Sequence, residues 1–260
     1  YQAWWQNSIN TGKGRIGLDL GFTTSVHHDI DSGTIGQNNM IVYDLPFNLK
    51  YFYTDPAKGF KLTTGITGTY ELEHNMAAPP DPYTPVYVIP NYRNVEIGGF
   101  GIVEKTVGAL TLSGGLRYDI TNFVGDSLYG FTPFNNTYSG WSGSIGASYQ
   151  LPHNNYVKLN VSKSFRAPAI NELTSNGLNI GSNAVQLGNI NLKPEQGYQI
   201  DLAYGNGGRD VSFEVDGFYN HISHFIFADR TDSLAQGYPV YEFVSSNTAI
   251  LTGISGYLNI

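Results

Sequence analysis

Between Lys61 and His74 the chain reads KLTTGITGTYELEH, and its positions sort with a period of two. One set holds Leu62, Thr64, Ile66, Gly68, Tyr70 and Leu72; the other holds Lys61, Thr63, Gly65, Thr67, Thr69, Glu71 and Glu73. Successive side chains alternate faces only on a strand, so this is a strand with one apolar and one polar face. Ala109 to Ile120 repeats the pattern, with Leu110, Leu112, Leu116, Tyr118 and Ile120 against Thr111, Ser113, Arg117 and Asp119. GWSGSIGASYQL sets Trp141, Ile145, Ala147, Tyr149 and Leu151 against Ser142, Ser144, Ser148 and Gln150. Further strands read at 1–9, 14–24, 39–53, 92–104, 155–166, 196–205, 209–223, 239–246 and 249–260, about twelve in all.

The connections alternate in length. Short ones fall at 10–13, 54–58, 105–108, 151–154, 206–208 and 247; long ones span 25–38, 75–91, 121–137, 167–195 and 224–238. If consecutive strands are antiparallel neighbours, all long loops share one end of the sheet, as in an up-and-down transmembrane β-barrel. A soluble β-sandwich or several small β domains also alternate and turn. Two details favour the barrel. Charges stand mid-strand on the polar face (Asp19, Arg117, Lys158, Asp201, Glu214, Asp216), as a wet lumen allows. Tyr43, Tyr51, Tyr53, Tyr118, Tyr149, Tyr204 and Tyr219 lie toward the ends of the apolar face, as interfacial girdles require.

Composition narrows the choices. There are 31 Gly in 260 residues and 19 Tyr, with only 13% charged residues; glycine is enriched over its usual share of about 7%. No apolar run is long enough for a membrane helix, but barrel strands need only about 10 residues each. A net charge of −7 argues against nucleic acid as a partner. The absence of Cys rules out thiolate chemistry and disulfides.

The stretch SFRAPAINEL follows the strand ending at Arg166 and opens the longest connection, which closes with GNINLKPEQGYQIDLAY. Phe165, Arg166, Ala167 and Pro168, then Asn171, Glu172 and Leu173, then Asn189, Asn191, Leu192, Lys193, Pro194 and Glu195 resemble the barrel of TonB-dependent outer-membrane receptors. IGGFGIVEKTVGALTLSGGLRYD, SGSIGASYQL, VDGFYNHISHFI and TAILTGISGYLNI extend the likeness over most of 92–260, and it is strongest to receptors of Bacteroidetes-type bacteria. The resemblance implies an all-β fold, a barrel of about 22 strands with a plugged lumen. It also implies outer-membrane lipid as surroundings, the TonB complex as partner and a small-molecule or metal-complex ligand, with a ferric siderophore as the commonest cargo. Residues 1–260 then form part of one barrel domain. About twelve strands make half a barrel whose edges would be unpaired in lipid, so a longer chain with plug and further strands is expected. A passive porin or surface adhesin on the same barrel plan is the alternative.

Pro168 and Pro194 cannot donate to a ladder and so mark the ends of strands. Arg166 with Glu172 or Glu195 fits a charge-assisted pair at the loop base, a structural role rather than substrate contact. Tyr83, Tyr87, Tyr92, Phe131, Phe134 and Tyr138 lie in or beside long loops as candidate ligand contacts, with loop packing as the alternative. Haem receptors of the resembled family carry a His between the two motif elements; 169–188 contains none, and Asn179 stands near that place. His27, His28, Asp29 and Asp31, and His221 with His224, lack the spacing of a closed metal site and read as loop-surface residues. Gly98–Gly101 and Gly205–Gly208 lack the strand-to-helix setting of a phosphate loop. No catalytic constellation, cofactor or metal site is expected.

Overall fold

The structure, a computed structural model, describes residues 1–31, 34–76, 88–127, 131–235 and 237–260, with the side chains of 28, 29, 30, 31, 34–38 and 180 left aside. The strands are β1 (Gln2–Thr11), β2 (Gly14–Asp31), β3 (Thr34–Asp55), β4 (Phe60–Asn75), β5 (Tyr92–Val107), β6 (Leu110–Gly125), β7 (Phe134–Gln150) and β8 (Asn155–Arg166). A short helix α1 (Ile170–Thr174) follows, then β9 (Asn176–Asn179), β10 (Ala184–Leu187), β11 (Glu195–Gly207), β12 (Ser212–Ala235) and β13 (Tyr238–Asn259). All thirteen join one sheet in the order β1-β2-β3-β4-β5-β6-β7-β8-β11-β12-β13-β10-β9. The sheet is open, with β1 at one edge. The long strands are all antiparallel; β10 alone pairs parallel, with β13.

The short turns sit at one end. Gly12 and Gly108 hold φ of 66° and 59° at the first central position of two-residue hairpins, a conformation that costs glycine nothing. At the other end, β2 with β3 and β12 with β13 continue as ladders well beyond the apolar stretch.

Register carries the apolar rows from strand to strand. Leu49 pairs with Ile66, Tyr118 with Trp141, Ile145 with Val161, Val161 with Ile200 and Ile200 with Tyr219. These side chains are open: Ile145 is 75% exposed and Ile254 is 84% exposed. In water such a face would forfeit about 25 cal/mol for each Å² left uncovered, so its surroundings are hydrocarbon. Buried hydrophobics gather instead at the long-loop end, where Tyr92, Phe123, Tyr138, Leu173, Leu192, Ile226 and Phe243 form one cluster.

Three details differ from the sequence reading. There is no turn at 247, because β13 runs unbroken and Ser223 and Phe225 pair with Thr248 and Ser246 around it. His224, opposite Asn247, takes a φ of 56°, so the local irregularity is a kink within the ladder rather than its end. The segments expected as loops at 25–38 and 224–238 are largely hairpin, since a ladder above the membrane needs backbone hydrogen bonds but no apolar alternation. The count therefore becomes eleven long strands and two four-residue ones within the longest connection.

Candidate functional site

The longest connection is built on Arg166. Its Nη1 and Nη2 donate to Glu172 Oε2 and Oε1 at 2.9 and 3.2 Å, and its Nε donates to Glu195 Oε2 at 2.7 Å. Arg166 ends β8 and Glu195 begins β11 directly opposite it. The other Glu195 oxygen accepts the Ile226 N–H of β12 at 2.7 Å. Glu172 Oε2 also accepts the Ala169 N–H at 2.7 Å, capping the first turn of α1. Burial raises the Glu195 carboxyl, but the Arg166 hydrogen bond and the Ile226 N–H outweigh it and leave the group below its ordinary range.

Pro168 is fully buried and ends β8, so the chain turns over the sheet. Leu173 and Leu192 then enter the buried cluster, with Phe165, Ala167 and Ile170 packed against it. The Asn189 N–H donates to Glu172 O, and the Gly188 N–H donates to Ser175 O. A Cβ on Gly188 would lie 2.4 Å from Thr174 N, so this crossing admits only glycine. Asn189 Oδ1 accepts the Asn191 N–H, and Asn136 Nδ2 reaches Ile190 O at 2.9 Å, fixing the returning strand to β7. Asn171 and Lys193 are exposed and Pro194 is half-buried. Both halves of the motif therefore meet in space, Arg166 and Glu172 on one side and Glu195 on the other.

The aromatic candidates divide. Tyr92 and Tyr138 belong to the buried cluster, and Tyr92 donates its hydroxyl to Glu71 Oε1 at 2.6 Å. Phe134 packs against the cluster and Phe131 is half-buried. Tyr83 and Tyr87 lie outside the described residues. The contributions of Phe123, Ile226 and Phe243 to the cluster went unread in the sequence, because single aromatic or branched residues outside the alternating stretches carry no periodic signal.

Below this cap the polar face is a wall of small and charged residues. Arg117 pairs with Asp119 at 2.5 Å and donates to Thr67 Oγ1 at 2.9 Å. Gly98 leaves room for that pair: a Cβ there would meet Arg117 Nη2 at 2.3 Å. Lys158 meets Glu214 at 2.6 Å, and Asp201 accepts from Gln199 and Asn160. A recess of about 620 Å³ is bordered by Lys50, Thr67, Phe100, Arg117, Ser142 and Ser162. Its lining can hydrogen-bond a polar solute. Among the described residues no group of three or more His, Cys, Asp or Glu is placed to hold a metal. The side chains of His28, Asp29 and Asp31 lie outside the described residues.

Known proteins share this fold. The chain is 26% identical over 226 residues to the TonB-dependent heme receptor A of Haemophilus influenzae (strain 86-028NP), covering 76% of this chain and 30% of that one. The hemophore receptor HasR of Serratia marcescens, solved as a double mutant with its hemophore HasA and heme, superposes with a TM-score of 0.72 at 16% identity. That match covers 99% of this chain and 45% of HasR. The FrpB iron transporter of Neisseria meningitidis (F3-3 variant) gives 0.68 at 15% identity, covering 99% and 40%. The chain thus spans less than half the length of each. Residues 2–257 match the family described as TonB dependent receptor-like, beta-barrel. With an apolar outer face, a polar inner wall and that match over nearly its whole length, the chain belongs to the TonB-dependent receptor β-barrel family.

Proposed function

We propose that this chain is the wall and part of the mouth of an outer-membrane receptor that imports a scarce iron complex with energy from the TonB system. The observation that carries this reading is the family match over 2–257, joined to a polar wall beneath a mouth built from the long connections. Plug and further strands belong, on this reading, to other parts of a longer receptor. A passive porin or adhesin gains no support from the family match.

A ferric siderophore is the proposed cargo. Residues 169–188 contain no His to ligate haem iron, and Asn179 sits in the β9–β10 hairpin with its Nδ2 3.4 Å from Gln186 Oε1. The motif residues, Arg166, Glu172 and Glu195 foremost, brace the loop base on this reading and do not touch cargo. Haem is the second reading, favoured by the curated relative, whose name is that of a heme receptor.

The test is growth of an iron-starved, siderophore-deficient Gram-negative host carrying the full receptor gene, supplied in turn with ferric siderophores and with haem. Growth on a siderophore that disappears when tonB is deleted supports the proposal. Growth on haem alone moves the assignment to the second reading, and uptake that survives tonB deletion overturns active transport.

A further inference from the structure

Where β4 and β5 reach the mouth, Glu71 stands opposite Asn94 and Glu73 opposite Tyr92. Directly opposed residues share a face, and positions two apart on a strand share it as well. The four side chains therefore rise from one patch about 5 Å by 7 Å across. It lies on the polar face, and the outward apolar row of β4 ends at Leu72, so Glu73 is beyond the membrane span.

Glu73 is 1% exposed, and neither of its carboxylate oxygens has a hydrogen-bond partner. Asn94, 8% exposed, buries a carboxamide oxygen that is also unpartnered. The hydroxyl of Tyr92 is already given to Glu71. Among the described residues no neighbouring cation makes up the deficit. Arg93 adjoins Asn94 in sequence and so projects to the other face, and Arg117 is engaged by Asp119 and Thr67. The patch thus buries oxygen acceptors in excess of donors, next to the root of the 76–91 connection.

A buried carboxylate in this position takes up either a proton or a counter-cation. Burial, with Glu71 beside it, pushes the Glu73 carboxyl up to about 8. A proton would cancel the Glu73 charge and turn one of its oxygens into a donor, but it would leave the other oxygen without a donor and the Glu71 charge unbalanced. A divalent cation would cancel the two charges of Glu71 and Glu73 together and bind the orphaned oxygens directly. Oxygen donors alone select a hard cation, and calcium accepts an irregular shell of protein oxygens completed by water, whereas magnesium demands near-ideal octahedral geometry and gives up its waters reluctantly. We infer that Glu71, Glu73 and Asn94 form a calcium site at the mouth, one that ties β4 to β5 below the 76–91 connection. Two carboxylates place its affinity at about 10⁻⁴–10⁻³ M, the range of extracellular calcium modules.

The experiment uses the full-length receptor in detergent, with terbium luminescence excited through tyrosine, displacement by calcium chloride, and radiocalcium dialysis for stoichiometry. The expected result is one calcium in the stated range, weakened at least tenfold in Glu73→Gln and tightened about tenfold in Asn94→Asp, which adds a third carboxylate. Equal calcium stoichiometry and affinity in wild type and Glu73→Gln would overturn the site. So would an Asn94→Asp variant with unchanged affinity, or a melting temperature that Glu73→Gln raises equally with and without calcium, which marks a recess that only holds a proton. None of these readouts depends on cargo or on TonB, so they stand apart from the uptake assay.

Discussion

Arg166 and Glu195 face each other across the β8–β11 ladder at 2.7 Å, and through the second oxygen of Glu195 the contact reaches the backbone of β12 at Ile226. One guanidinium thereby joins the helix of the longest connection to three strands. Arg166→Ala removes all of these contacts, and with the side chain partly open to water the loss is about 1–2 kcal/mol. Arg166→Lys cannot reproduce the paired bonds and recovers only part of it. Melting of the full receptor checks this, with cargo affinity measured alongside; a loss of affinity with no change in melting would contradict the bracing role.

Acid releases the same contact. The Glu195 carboxyl is lower in the folded chain than unfolded, so its stabilisation is complete above an unfolded value near 4.5 and is lost as pH falls through the folded value. Melting between pH 7 and pH 3 shows a steeper acid decline in wild type than in Glu195→Gln, which is less stable at neutral pH but flatter.

Glu73 has the opposite sign. Its folded value of about 8 lies above the unfolded one, so without a bound cation stability declines as pH rises from about 4.5 to about 8. Glu73→Gln abolishes that slope. The comparison is a pair of melting series in a calcium chelator; parallel slopes in the two proteins would remove Glu73 as the cause.

Two glycines give a matched test of packing. An added methyl on Gly188 strikes the backbone of Thr174, whereas on Gly99 it meets nothing within 4 Å. Gly188→Ala costs about 1–3 kcal/mol by forcing the connection off its seat, and Gly99→Ala stays within about 0.5 kcal/mol. Proteolysis of intact cells resolves the former as new cleavage in 167–194.

The faces can be told apart by charge. Ile145→Lys places an ammonium on the apolar face and costs about 2–4 kcal/mol if that face meets the bilayer midplane. Ser144→Lys on the adjacent polar face is tolerated. Folding yield into lipid vesicles measures both, and equal yields would refute the lipid-facing assignment.

Strands that cross the membrane were legible because lipid on one side and water on the other impose alternation, as in Lys61–His74 and Ala109–Ile120. Beyond the membrane that constraint lapses. The upper parts of β12 and β13 lie past the alternating apolar rows, so Asn247 reads as a short connection although the ladder passes through it. Arg166, Glu172 and Glu195 were legible as a group because Pro168 and Pro194 frame them. Glu73 and Asn94 were not, since in sequence they are ordinary polar-face residues, and only the packing around them reveals that each keeps an oxygen without a partner.

Val185, Gln186 and Leu187 lie beside Val240, Tyr241 and Glu242 as a parallel ladder, so the connection after β8 is stitched to a strand more than fifty positions further along the chain. That stitch makes this side of the mouth a single wall segment. On the proposed import reading, a cargo that needs it to swing aside must carry the β12–β13 hairpin with it or first unzip three residues of sheet. Entry on that reading is easier where connections are joined to the barrel only through their own two ends.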